Sequence, residues 1–413
     1  MIIDAKVYNG SCSCGREHGM VTELCVIEAG AMKRFDAIMK ERGISGKSVA
    51  IYDENTYKAT EGRQPTADEV IILPPENLHA DEHAVGLAMA KIPKDCDYLI
   101  AVGSGTVHDT TRYCAHELGI DFISCPTAAS VDGFCSSVAA MTWRGFKMTF
   151  TAVAPKIVVA DLDIIAAAPR FLTSSGFGDM IGKFIALSDW RISHILSGEY
   201  LCERIYKMTL DATEAVMAAA EDIRRGSLEA HGKLIYGLLM SGLAMQLLGN
   251  SRCASGAEHH ISHLIEMQAP GLGLSSSALH GEKVGVGTLL ASREYHALIN
   301  EAADFADYPE IDKDTVRQVF GSLADSVLEE NEKLCARGIT AELLREKWPA
   351  IREVVLAIPT ADKLLEIYKL LDMKSSLTDI EVDEGAKNAL LDYSPLVRNR
   401  TTLMRLRAAI KRG

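Results

Sequence analysis

Between residue 24 and about residue 165, short runs of β-branched and other apolar residues alternate with amphipathic stretches. The apolar runs lie at 48–52, 69–73, 98–102, 122–126 and 157–160, and most end in turn-forming residues. That alternation predicts repeated βα units and a parallel sheet, whose carboxyl-end turns are where a nucleotide binds. After about residue 165 the β signal fades, and windows such as 210–225 and 234–248 are rich in Ala, Leu, Met, Glu and Lys at helical spacing. Pro169 and Gly176 punctuate the entry to this half, and the Gly- and Ser-rich stretch 270–278 predicts a loop between two helices. A chain of 413 residues exceeds what one hydrophobic core serves. The expected organisation is an α/β, Rossmann-like N-terminal domain over 1–165 and an all-α domain over 166–413, with a small-molecule site in the cleft between them.

Composition narrows the partners. With 43 Lys and Arg against 56 Asp and Glu, the net charge of −13 repels a phosphate backbone, so nucleic acid is not the expected ligand and a small phosphorylated one needs a local cluster of donors. No run reaches the roughly eighteen consecutive apolar residues of a spanning helix, and Met1-Ile2-Ile3-Asp4 lacks a basic start followed by an apolar stretch; the expectation is a cytoplasmic protein without a membrane span. Ten scattered cysteines read as reduced thiols. Cys12, Cys14 and His18 have the makings of half a zinc site, but a structural zinc takes four ligands and no matching second pair follows, so the segment reads as a surface turn.

Three segments carry chemistry. Gly103, Ser104, Gly105, Thr106 and Val107 follow the run at 98–102 and open a helix; glycines admit a pyrophosphate close to backbone N–H groups at a helix N-terminus, although such a turn can also be a turn alone. Asp53, ending an earlier run, either accepts from a ribose hydroxyl, which favours NAD over NADP, or caps a helix. Thr127, Ser130, Asp132 and Gly133 form a second loop of hydroxyls and a carboxylate after a strand, a composition shared with ordinary turns. The third set is Asp179, expected at a helix start, His259 and His263 one helical turn apart, and His280. One carboxylate with two imidazoles leaves coordination positions open, as a catalytic metal requires.

In this order the segments resemble the sn-glycerol-1-phosphate dehydrogenase family, of the dehydroquinate synthase-like and iron-containing alcohol dehydrogenase group. The likeness runs from Gly103-Ser104-Gly105 with Asp109, through Pro126-Thr127-Ala128-Ala129-Ser130 with Asp132-Gly133, and Gly178-Asp179 with Lys183. It continues in Ser255-Gly256-Ala257-Glu258-His259 with His263 and in His280-Gly281-Glu282-Lys283, and ends at Val397-Arg398-Asn399-Arg400. His108, Arg112 and Val131 depart from the pattern. The resemblance implies a metal on Asp179, His259 and His280, and a nicotinamide cofactor, NAD(H) or NADP(H), on Gly103 to Val107, Asp109, Thr127, Ser130 and Ser136. It puts the substrate near Asp132, Asp179 and His263, with His263 and Asp132 as the catalytic side chains. It further implies one divalent metal, a homodimer, and reduction of dihydroxyacetone phosphate to sn-glycerol 1-phosphate; zinc, nickel or iron suits the ligands, and Arg144, Lys147 and Lys183 are the candidate cations for the phosphate. The rivals are a glycerol or other polyol dehydrogenase on the same scaffold and a metal-free nucleotide-binding regulator.

Overall fold

The structure is a computed structural model that describes residues 1–76, 78–144 and 146–413. Every predicted run is a strand. With Ile2–Asp4 as β1 and Leu24–Glu28 as β2, the sheet continues through β3 (Ser48–Asp53), β4 (Glu69–Leu73), β5 (Tyr98–Gly103), β6 (Asp121–Pro126) and β7 (Ile157–Asp161). Their spatial order is β1-β2-β7-β6-β5-β3-β4, parallel throughout except for β1, which runs antiparallel to β2. Buried Val49, Ile51, Leu99 and Ala101 line one face of the sheet and Ala50, Tyr52, Ile100 and Val102 the other, so these strands lack the polar alternation of a half-exposed sheet. The chain moves outward from β3 to β4, then returns to the far side of β3 for β5. In open α/β sheets ligands bind at such a change of direction, outside the carboxyl ends of the strands, which here is where Asp53 ends β3 and Gly103 ends β5. A hairpin of Val138–Trp143 and Phe146–Thr151 was not anticipated; its first strand alternates exposed and buried positions, and the aromatic and small residues there give little strand signal.

Six helices carry or brace the candidate chemistry: α1 (Gly105–Leu118), α2 (Arg170–Ile181), α3 (Lys183–Ser197), α4 (Leu228–Leu248), α5 (Ala257–Glu266) and α6 (His280–Glu301). The chain divides into two compact units, 1–180 with 214–250, and 181–213 with 251–413. This differs from the boundary expected at 165/166. Composition identified α4 as helical but carries no information about which core it joins; α4 packs on β2 and on the turn Gly133–Cys135, within the sheet unit. In the second unit α5 packs along α6, and α3 lies against both α5 and the helix Ala341–Leu356. Asp189 of α3 fastens this arrangement: its carboxylate accepts from Ala257 N (2.9 Å), Leu403 N (2.8 Å) and Tyr295 Oη (2.7 Å), joining the start of α5, the C-terminal segment and α6. Burial pushes that carboxyl up to about 7. No helix among the described residues is long and apolar enough to cross a membrane.

Candidate functional site

The first cluster lies at the carboxyl edge of the sheet. Gly103 ends β5 because a side chain there has no room: a Cβ would sit 2.6 Å from Val107 Cβ. Ser104 occupies the cap position of α1 without a side-chain hydrogen bond to the helix, so the first-turn N–H groups of this fourteen-residue helix are not satisfied by their cap residue, an arrangement suited to an anion. The Ser104 hydroxyl instead meets Ser130 Oγ at 2.7 Å, and Thr127 N donates to Gly103 O at 3.0 Å, joining the turns after β5 and β6. Asp53 caps the short helix Glu54–Ala59, accepting from Thr56 N at 2.9 Å in a capping box.

Two residues that depart from the family pattern hold these turns in place. His108 is buried, and burial followed by the charge of Arg112 pushes its pKa down to about 3. The neutral ring donates from Nδ1 to Ser104 O (3.0 Å), so Nε2 accepts from the Ser124 hydroxyl (2.7 Å). Arg112, with no exposed surface, donates to the carbonyls of Gly133, Phe134, Ser136 and Val138 at 2.7–3.0 Å and lies 3.6 Å from Asp109. Asp109 therefore balances Arg112. Ser136 Oγ turns to Val138 N, and Ser136 gives its carbonyl to Arg112.

The loop 127–135 is also clamped from the helices of its own unit. A Cβ on Gly176 of α2 would lie 2.0 Å from Ala129 O, and one on Gly242 of α4 would lie 2.9 Å from Asp132 O. Glycine at both positions lets the helices press against the loop. Ser175 Oγ then donates to Ser130 O (3.1 Å), Asp132 N to Asp179 Oδ2 (2.9 Å), and Ser241 Oγ to Asp132 Oδ2 (2.8 Å). Asp179 is fully buried near the carboxyl end of α2, where a helix start was expected. The apolar and small residues from 170 onward continue the helix upstream, and Gly176 proved to be a packing glycine within it.

The second cluster belongs to the other unit and is built from helix side chains. His259, His263 and His280 form a triangle with ring centroids 5.4–5.9 Å apart. Gly287 permits it, since a Cβ there would lie 2.6 Å from Glu258 O, so α6 approaches α5 closely beside His259. His259 Nδ1 donates to the buried Glu258 carboxylate (2.7 Å) and His280 Nδ1 to Glu266 (2.9 Å). Each bond fixes the tautomer with the lone pair on Nε2, which is how metal-binding imidazoles are oriented. Glu266 also lies within 4.8 Å of donor atoms of His263 and His280, but its Oε1 is committed to His280 and to Lys283 Nζ (3.3 Å), so it serves as the orienting carboxylate. Burial raises the Glu266 pKa, yet His280 and Lys283 hold it well below the ordinary range. Burial also holds His263 neutral, with Nδ1 enclosed and without a hydrogen-bond partner. Arg400, from the last motif, donates to Ser255 O (2.9 Å) and Ser251 Oγ (2.7 Å) and so fixes the segment leading into α5.

Of the residues expected to meet a phosphate, Lys183 is buried at the start of α3, Arg144 is exposed on a turn, and the Lys147 side chain lies outside the described residues. Sequence reading missed Glu258 and Glu266 as partners of the histidines; their signal was an acid directly before His259 and another three residues after His263. Ser241 had no signal, being one polar residue in a long helical window.

The family described as iron-containing alcohol dehydrogenase matches residues 26–169. Among solved structures, an iron-containing alcohol dehydrogenase from Thermococcus thioreducens superposes with a TM-score of 0.60 at 14% identity, covering 95% of this chain and 99% of that one. A sulfoacetaldehyde reductase from Bifidobacterium kashiwanohense gives 0.59 at 16%, covering 93% and 94%. These likenesses establish the fold: a parallel-sheet α/β part with a helical C-terminal part. Closer in sequence is a glycerol-1-phosphate dehydrogenase (NAD(P)+) of Bacillus licheniformis, 32% identical with 96% of this chain and 92% of that protein covered. A namesake from Halalkalibacterium halodurans is 38% identical over 71% and 76%. With nearly the whole length matched at that identity, and the fold in agreement, the chain belongs to the glycerol-1-phosphate dehydrogenase family.

Proposed function

We propose that this protein is a metal-dependent NAD(P)H oxidoreductase that reduces dihydroxyacetone phosphate to sn-glycerol 1-phosphate and catalyses the reverse. The relatives named for this activity support the substrate. The observation that carries the metal part is that His259 and His280 each have Nδ1 tied to a buried or nearly buried carboxylate, leaving Nε2 as the donor. Asp179, a fully buried carboxylate, is the third proposed ligand; a carboxylate and two imidazoles suit zinc, nickel or iron.

When bound, the metal supplies Lewis-acid polarisation of the ketone and the nicotinamide supplies the hydride. The chain's own residues do the rest. The N–H groups at the start of α1 hold the pyrophosphate, with Gly103 to Val107, Asp109, Thr127, Ser130 and Ser136 shaping that subsite and Asp53 facing the ribose. Asp132 holds a substrate hydroxyl, its carboxylate fixed by Ser241 and its N–H by Asp179. His263, neutral and with a donor and an acceptor nitrogen, passes the proton to the new hydroxyl oxygen and takes it back in the reverse direction. Ten cysteines with no disulfide among the described residues suit the reducing cytoplasm, and the family resemblance adds a homodimer. The test is reduction of dihydroxyacetone phosphate against free dihydroxyacetone, with NADH and with NADPH, after restoring zinc, nickel or iron to metal-stripped protein. Faster turnover of the free ketone overturns the substrate assignment in favour of a polyol dehydrogenase.

A further inference from the structure

The segment whose sequence reads as a surface turn has the geometry of a metal knuckle. Gly10–Ser11 and Glu17–His18 pair as a two-residue ladder, Gly10 opposite His18, and the tip closes through Cys12 N→Arg16 O and Gly15 N→Cys12 O, both 3.0 Å. Gly15 takes φ +84°, so the chain reverses there without strain. From Gly10 to His18 there is no aliphatic or aromatic hydrocarbon side chain. A hairpin this short is marginal in water even when it has an apolar face to bury, so hydrophobic packing does not account for it.

Its side chains are sorted instead by ligand chemistry. Cys12 and Cys14 are half-buried and His18 is 5% exposed, whereas Ser11, Ser13, Arg16 and Glu17 between them face solvent. The two Sγ atoms and a ring nitrogen of His18 all lie within 4.8 Å of one another, and Cys14 Sγ is 3.2 Å from His18 Nε2. Tetrahedral zinc with Zn–S about 2.3 Å and Zn–N about 2.0 Å has S···N edges of about 3.6 Å, so the Cys14–His18 pair needs only a few tenths of an ångström of adjustment, and Cys12 is within reach of both. The ring is also aimed: His18 Nδ1 donates to the Leu247 carbonyl at 2.7 Å, which puts the lone pair on Nε2, toward the cysteines. A carbonyl on the far nitrogen is the usual outer support of a metal-binding histidine.

We propose that Cys12, Cys14 and His18 bind a structural zinc ion, separate from the catalytic metal, with a fourth donor from outside the hairpin. Binding converts two thiols to thiolates and releases their two protons; no redox change is involved. Through His18 the ion staples the hairpin to the end of α4. The neighbouring Gln246 of α4 already accepts from Val21 N and Thr22 N and donates to Cys135 O, so the stapled region borders the loop that carries Asp132. The site contributes to the stability of its unit and leaves the chemistry of reduction to the other cluster.

Metal analysis of the purified full-length protein tests this. The expected result is two metal equivalents per chain, one released as zinc on titration with an organomercurial. The Cys12→Ser and Cys14→Ser variants should lose one equivalent and keep the other, while His280→Ala shows the opposite loss. Should the cysteine variants fail to fold, cobalt substitution of the wild-type protein decides, because thiolate-to-cobalt charge transfer in the near ultraviolet is expected only from this site. Absence of that band, together with cysteine reactivity toward a disulfide reagent that added zinc does not slow, overturns the proposal. Loss of all metal in His280→Ala would also overturn it. None of these readouts depends on turnover, so they leave the proposed reaction to its own test.

Discussion

The two units present their candidate chemistry in opposite ways. In the sheet unit the groups proposed to meet a nucleotide are backbone N–H donors and short hydroxyls on turns after β5 and β6, held by the buried cation Arg112 and the neutral His108. In the helical unit they are long imidazole side chains on α5 and α6, aimed by the carboxylates of Glu258 and Glu266. A backbone-built site tolerates changes in side-chain chemistry but not in shape. One built from side chains depends instead on the identity and ionisation of a few atoms.

The contrast is put under most strain by removing a proposed metal ligand. Asp179→Asn or His280→Ala is expected to strip the metal and lower kcat/KM about a thousandfold, in line with the several kcal/mol a Lewis acid supplies; variants that keep metal and turnover would sink the ligand assignment. A shape change in the backbone-built region comes next. Gly176→Ala places a methyl group 2.0 Å from Ala129 O, and about 3 kcal/mol of stability together with a raised KM for the nicotinamide is the loss to look for in denaturant unfolding and initial rates. Glu258→Gln tests the helical region without emptying it: metal affinity, measured by competition with a chelator, should fall about 10- to 100-fold while NADH binding is unchanged.

A fourth expectation concerns pH. The His108 pKa falls from an unfolded value of about 6.5 to about 3 in the fold, so its contribution is complete above the unfolded value and is lost as pH drops toward 3. Between pH 7 and pH 5 this is on the order of 2 kcal/mol, and His108→Gln should flatten that part of the stability curve relative to wild type. An unchanged slope would mean that His108 has the same pKa folded and unfolded, and so is not held neutral by burial. The smallest effect belongs to Asp53→Ala, which removes a helix cap worth about 1 kcal/mol and, by withdrawing a carboxylate from the proposed ribose subsite, is expected to shift preference toward NADPH. An unaltered cofactor ratio would leave Asp53 with the cap alone.

Periodicity exposed the parallel strands, because residues buried on both faces form unbroken apolar runs. It also exposed the pairing of His259 with His263, because a helix puts residues four apart on one face. The position of Asp179 was misjudged: glycines at 176 and 178 read as a break before a helix, whereas at least Gly176 serves a close approach inside one. Arg112 and His108 looked atypical because their partners are carbonyls and a hydroxyl, groups that every sequence contains and whose location no motif records.

By itself, the sequence determined the apolar runs that became parallel strands and the helical character of the later windows, and supplied the short motifs whose geometry is local: the turn at Gly103, the helical His259/His263 spacing and the hydroxyl-rich loop after β6. Tertiary structure alone decided that α4 joins the sheet unit, that Glu258 and Glu266 orient the histidines, and that Arg112 gathers four carbonyls of one loop. The physical reason is range. Backbone preference and hydrophobic period act over a few residues and leave a trace at that spacing, while a hydrogen bond between residues as distant as Asp132 and Ser241 exists only once two elements have packed.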